Sequence, residues 1–160
     1  MKPVVVGISD FRIARKPQRL VTYGLGSCVA IAIYSRRDGV AGMAHIMLPL
    51  AFERDQVLMP GKYADTAVEA IMEAFRERGI GQGDMEAKLA GGAEMFPRAV
   101  EGIGTRIGAR NVLAARSILE DHDVRIDGQD VGGNLGRTVE FHTETWEMLV
   151  RTLRGGMKVI

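Results

Sequence analysis

Two hydrophobic periods run along this chain. Val4–Ile8 and Leu20–Tyr23 are short β-type runs, and Val29-Ala30-Ile31-Ala32-Ile33-Tyr34 is continuously apolar. That last run is too short for a stable helix and reads as a buried strand. Arg36-Arg37-Asp38-Gly39 closes it, with Asp38-Gly39 supplying the φ > 0 positions of a hairpin turn. The return strand covers Val40–Leu48 and stops at Pro49. Pairing across that hairpin brings residues near Cys28 close to His45 or Met47.

The period then changes. Tyr63, Ala67, Val68, Ile71, Met72 and Phe75 form the stripe of an amphipathic helix over Tyr63–Arg78, with Glu69, Glu73, Arg76 and Glu77 opposite and Gly79 as its stop. Met85–Ala90 reads as a strand entering Gly91-Gly92. A second helix covers Ile107–Glu120, its stripe made of Val112, Ala115, Ile118 and Leu119. Val124–Ile126, Arg137–His142 and Trp146–Leu153 complete about eight strands. No linker or repeat interrupts the series. The expectation is a single domain over residues 1–160, a layered α/β sandwich of the α+β type. Its sheets are mixed, and its two main helices share one sheet face.

Composition narrows the function classes. The 21 basic and 20 acidic residues leave a net charge of +1, so no overall field attracts nucleic acid or an anionic membrane. Arg12, Arg15, Lys16 and Arg19 read as a solvated loop. No apolar stretch approaches the roughly 20 residues of a membrane span. The start of the chain is too short and too soon charged for a signal peptide. The one cysteine cannot form an internal disulfide, which suits a reducing cytoplasm. The 20 glycines exceed a typical share of about 7% and gather at particular places.

One such place carries candidate chemistry. Thr22-Tyr23-Gly24-Leu25-Gly26-Ser27-Cys28 leads into the buried strand. Gly24 and Gly26 allow a sharp turn, and Gly26 allows a second group close to the backbone. Backbone N–H groups after such a turn, near Ser27 and Cys28, are candidates for an oxyanion site, with the Ser27 hydroxyl as a helper. A lone cysteine also serves as a small core filler. A lone histidine among apolar neighbours, like His45, also serves as a satisfied core residue. Yet an imidazole opposite a thiol is what activation of sulfur requires, and Thr22 is placed to orient it. Gly24-x-Gly26 lacks the third glycine of a dinucleotide site. Cys28, His45, His122 and His142 show no metal-ligand spacing, so neither a metal nor a cofactor is expected. Asp38, Asp84, Asp127 and Asp130 are assigned to turns.

Leu25-Gly26-Ser27-Cys28 and Gly42-Met43-Ala44-His45-Ile46-Met47-Leu48-Pro49 resemble the chemoreceptor glutamine deamidase family, CheD. So do Lys62–Asp65, Glu86–Phe96, Ile107–Val112 and Asp130–Arg137, all in the family's order and covering nearly the whole chain. The resemblance implies a triad of Cys28, His45 and Thr22; beside it, Ser27 and Gly26 are the candidates for oxyanion binding and substrate positioning. It implies hydrolysis of glutamine side chains on methyl-accepting chemotaxis receptors, and in some members binding of a CheC-type phosphatase. It further implies a layered sandwich related to bacterial deamidating toxins. The alternative is an adaptor that binds and stimulates such a phosphatase with little deamidase activity.

Overall fold

The apolar run expected to be buried is the middle of the molecule. In the computed structural model, which describes residues 1–52, 58–95 and 106–160, it forms the strand β4 (Val29–Ser35). This pairs antiparallel with β5 (Val40–Ile46) on one side and β6 (Met85–Gly91) on the other. In chain order the strands before it are β1 (Val4–Val5), β2 (Phe11–Arg15) and β3 (Arg19–Leu25), and those after are β7 (Arg125–Val131), β8 (Arg137–His142), β9 (Glu147–Thr152) and β10 (Met157–Val159). The helices are α1 (Ala64–Glu77) and α2 (Ile107–Asp121). Two five-stranded sheets result, ordered β1-β3-β8-β9-β10 and β2-β5-β4-β6-β7. Each mixes parallel and antiparallel pairs, the parallel ones being β1 with β3 and β6 with β7.

Every residue of β4 and β5 is buried because both faces of their sheet are covered. Val29, Ile31 and Ile33 pack under Val68, Ile71, Met72 and Phe75 of α1 and Val112, Ala115 and Leu119 of α2. Both helices therefore lie on one face, as the stripes require. Full burial of a side chain the size of Ile71 or Phe75 contributes roughly 1.5–3 kcal/mol. The other face presents Ala30, Ala32, Ala41 and Tyr34 to Leu20, Val139, Phe141 and Met148 of the second sheet. Its small side chains let the sheets approach, and Tyr34 fills the remaining space against Phe141 and Trp146, with ring centroids 5.0 and 5.7 Å away. The layers run helices, sheet, sheet.

Several sequence expectations change in detail. Ten strands are described rather than about eight. The basic segment after residue 11 is in part an edge strand. Phe11 and Ile13 of β2 pack against the helix-side core and Ala14 between the sheets, while Arg12 and Arg15 are exposed. Asp127 and Asp130 lie in β7 rather than in turns, and each is ion-paired, to Lys88 at 3.3 Å and to Arg137 at 3.1 Å. In the hairpin turn only Gly39 takes a positive φ, of 67°. Asp38 instead accepts the Ser35 hydroxyl at 2.7 Å. Phe96, quoted in the family motif, lies outside the described residues.

Candidate active site

The two sheets each deliver one polar side chain to the space between them. Thr22 comes from β3 and His45 from β5, and both are fully buried, 0% exposed. Thr22 is followed by a β-bulge: Thr22 pairs with Val139 but Leu25 with Arg137, so β3 carries one extra residue. Leu20 and Thr22 point inward at the usual spacing of two, and the bulge turns Leu25 inward as well while Tyr23 and Gly24 stay exposed. The chain thereby leaves the strand for the turn that ends at Cys28.

Thr22 Oγ1 lies 2.7 Å from His45 Nδ1 and donates to the Val6 carbonyl at 2.8 Å. A threonine hydroxyl has a single proton to give. With that proton on Val6, the oxygen can only accept from the ring, so Nδ1 carries hydrogen and Nε2 does not. Nε2 is buried and has no hydrogen-bond partner among the described residues. Burial also lowers the His45 pKa to about 4, so the ring is neutral near pH 7. The site thus holds a neutral imidazole with its free lone pair on Nε2.

Cys28 lies one residue before β4 and is half-buried, packed against the core between the sheets. Ala30 pairs with His45, so Cys28, two residues earlier, sits diagonal to His45 on the same face. Burial raises the thiol pKa above its ordinary value, opposed by the Cys28 backbone N–H facing its own sulfur. Thiol and imidazole are therefore both neutral at pH 7.

The turn is held from the other side by the loop after β6. Gly92 N–H donates to the Cys28 carbonyl at 2.8 Å and Ala93 N–H to the Gly26 carbonyl at 2.9 Å. Gly91 has φ of 112°, and a Cβ there would collide with the Cys28 carbonyl, so only glycine fits. The Gly91 carbonyl accepts from Gly132 N–H at 2.9 Å and from Arg137 Nη1 at 3.2 Å. Both glycine pairs of the sequence thus shape backbone beside Cys28. Gly26 lies against the Met95 side chain. Ser27 is half-buried, and its carbonyl accepts from Asn111 Nδ2 at 3.0 Å.

Two participants were not picked out from sequence. Val6 acts through its carbonyl, which leaves no mark on residue type. Asn111 is fully buried, although no motif or spacing marks it for the site. Its signal was available: it sits with Gly108, Val112, Ala115 and Leu119 on the buried stripe of α2, where an amide needs bonded partners. Among the described residues no three His, Cys, Asp or Glu side chains gather where a metal could bind, and no helix is long and apolar enough to cross a membrane.

Fold and site together define a helix-covered double-sheet sandwich that sets a thiol beside a neutral imidazole at the junction of its sheets. A family model described as CheD chemotactic sensory transduction matches residues 47–152. That span begins after Thr22, Cys28 and His45, but the matches to relatives run across them. The probable chemoreceptor glutamine deamidase CheD of Clostridium kluyveri is 41% identical over 160 residues, covering 100% of this chain and 99% of the relative. The chemoreceptor glutamine deamidase CheD of Thermotoga maritima is 43% identical over 152 residues, covering 95% of this chain and 93% of the relative. This chain belongs to the CheD family. A crystal structure of Bacillus licheniformis hypothetical protein YfiH is a more distant likeness, with a TM-score of 0.49 at 13% identity, covering 78% of this chain and 51% of that one.

Proposed function

We propose that this protein hydrolyses glutamine side chains of chemoreceptors to glutamate, releasing ammonia, and that residues 1–160 form one deamidase domain for the purpose. The relatives' names support the substrate. The observation that carries the chemistry is the free Nε2 of His45, held neutral by burial and in one tautomer by Thr22.

Because the resting pair is neutral, proton transfer accompanies attack. The Cys28 thiol gives its proton to His45 Nε2 as sulfur bonds to the carboxamide carbon, and the carbonyl oxygen takes the negative charge. The imidazolium returns that proton to the departing nitrogen, which leaves as ammonia, and a thioester remains. Nε2 then takes a proton from water, whose oxygen attacks the thioester, and glutamate and the thiol are regenerated. A metal-free, cofactor-free reaction is consistent with these steps.

Exposed apolar side chains adjoin the site residues: Met47 two past His45, and Met95 against Gly26. They suit a protein substrate better than a small polar one. The same reading includes methyl-accepting chemotaxis receptors as substrates and a cytoplasmic location. It also includes a CheC-type phosphatase as a further partner, for which exposed Leu50, Phe52, Leu58 and Met59 offer apolar surface.

Incubating the protein with receptor cytoplasmic fragments and mapping peptides by mass spectrometry tests the reading. Specific glutamines are expected to gain the mass difference between carboxamide and carboxylate, with matching ammonia. Fragments unchanged after full exposure would remove it.

Thr22→Val keeps the shape of the side chain but deletes the acceptor for Nδ1–H, freeing the ring to take the wrong tautomer. Turnover is expected to fall ~10–100-fold with KM little changed, within the range of general acid–base contributions. Thr22→Ser should retain most activity. Equal rates for valine and the parent would show that Thr22 only fills space.

A further inference from the structure

Asn111 is a buried polar group that the proposed chemistry leaves unused. Stranding a carboxamide in a dry interior costs roughly 1–3 kcal/mol unless it is bonded. Its Nδ2 makes two bonds, both to backbone carbonyls: Ser27 at 3.0 Å and Met47 at 2.9 Å. One carbonyl belongs to the peptide entering Cys28, the other to the residue two past His45.

Peptide geometry supplies the consequence. Lys16–Pro17 is the cis bond described, so Ser27–Cys28 is trans. In a planar trans peptide the C=O and N–H point in opposite directions. The Ser27 carbonyl is drawn toward α2, on the helix-covered face of the sheet. The Cys28 N–H therefore points away from Asn111, and it faces the Cys28 sulfur, whose side chain packs between the sheets. Among the described residues, that N–H donates to no other residue's backbone.

We propose that Asn111 is a positioning residue: by holding the Ser27 carbonyl on the α2 side, it aims the Cys28 N–H at the oxygen of the carbonyl under attack and makes that amide an oxyanion donor. Its second bond, to Met47, ties the same peptide to the strand bearing His45, so donor, thiol and base keep one spacing. The inference rests on Cys28 as the attacking group. It applies to any acyl compound that Cys28 attacks, receptor glutamine or not.

Two small reagents separate this role from plain support of the fold. p-Nitrophenyl acetate acylates Cys28: the S–C bond forms, the thiol proton leaves to His45, the carbonyl oxygen carries the charge, and the C–O bond breaks to release p-nitrophenolate. Iodoacetamide alkylates the same sulfur by displacing iodide, with no oxyanion. The full-length chain is compared with Asn111→Ala and with Asn111→Asp, which keeps the volume but loses the paired donors. Each is assayed below its unfolding transition. The ratio of acylation to alkylation rates is expected to fall about tenfold or more, given that losing an oxyanion donor outright costs ~10²–10³. An unchanged ratio in a folded variant overturns the proposal, and so does a parent protein whose Cys28 is not acylated. A parent that releases no ammonia from receptor fragments, but whose ratio falls on substitution, would remove the deamidase reading and leave this inference standing.

Discussion

Cys28→Ala is expected to release no measurable ammonia from receptor fragments while folding normally. Without sulfur no thioester forms, and neither water nor His45 replaces a bonded nucleophile. Losses on removing the nucleophile of such a unit reach ~10⁶-fold. The thiol is half-buried at the edge of the inter-sheet core, so its truncation should cost about 1 kcal/mol or less, small against the cost of a core cavity. Ammonia release and urea unfolding on the same preparation separate the two effects. Turnover at the parent rate would eliminate Cys28 as nucleophile and the thioester route with it.

The second large effect is expected from His45→Gln, in two independent readouts. Deamidation should fall ~10²–10⁴-fold, the usual worth of a positioned acid–base group. Stability should also change its pH dependence. The folded imidazole has its pKa lowered to about 4 by burial, against about 6.5 in an unfolded chain. Between those values the unfolded chain binds the extra proton and the folded one does not. Stability of the parent therefore falls as pH drops from about 6.5 to about 4, by on the order of 3 kcal/mol from this group, and is unaffected by it above. Glutamine does not titrate, so the variant lacks that part of the acid loss. Urea midpoints at pH 7 and pH 5 give the comparison. Parallel losses in parent and variant would mean that His45 is not held neutral, and the free Nε2 base would go with it.

Much of the architecture was legible because periodicity reports local burial. The run Val29–Tyr34 had to be buried on both faces, and it is. The stripes of α1 and α2 named the residues that cover the sheet, with ends displaced by a residue or so. Misreadings fell where charge masked a strand. β2 sets Phe11, Ile13 and Ala14 between arginines and read as a loop, and β7 carries Asp127 and Asp130, which look like turn residues until Lys88 and Arg137 are beside them. Ion pairs between distant segments cannot be read along a chain.

The cysteine and histidine illustrate the division. A hairpin is local: pairing of β4 with β5 follows from one short turn, and a side-chain period of two puts Cys28 and His45 on one face. Sequence alone determined that juxtaposition, and with it the candidate chemistry. Tertiary structure decided the state of the imidazole. Thr22 reaches it from the other sheet, and which residue meets which across that interface depends on the small side chains Ala30, Ala32 and Ala41 and on the bulge after Thr22. The proton on Nδ1 depends further on the Val6 carbonyl, and the aim of the Cys28 amide on Asn111. Every residue carries a backbone carbonyl, so residue type does not mark the ones that matter. Only the packed chain shows which carbonyl meets which side chain.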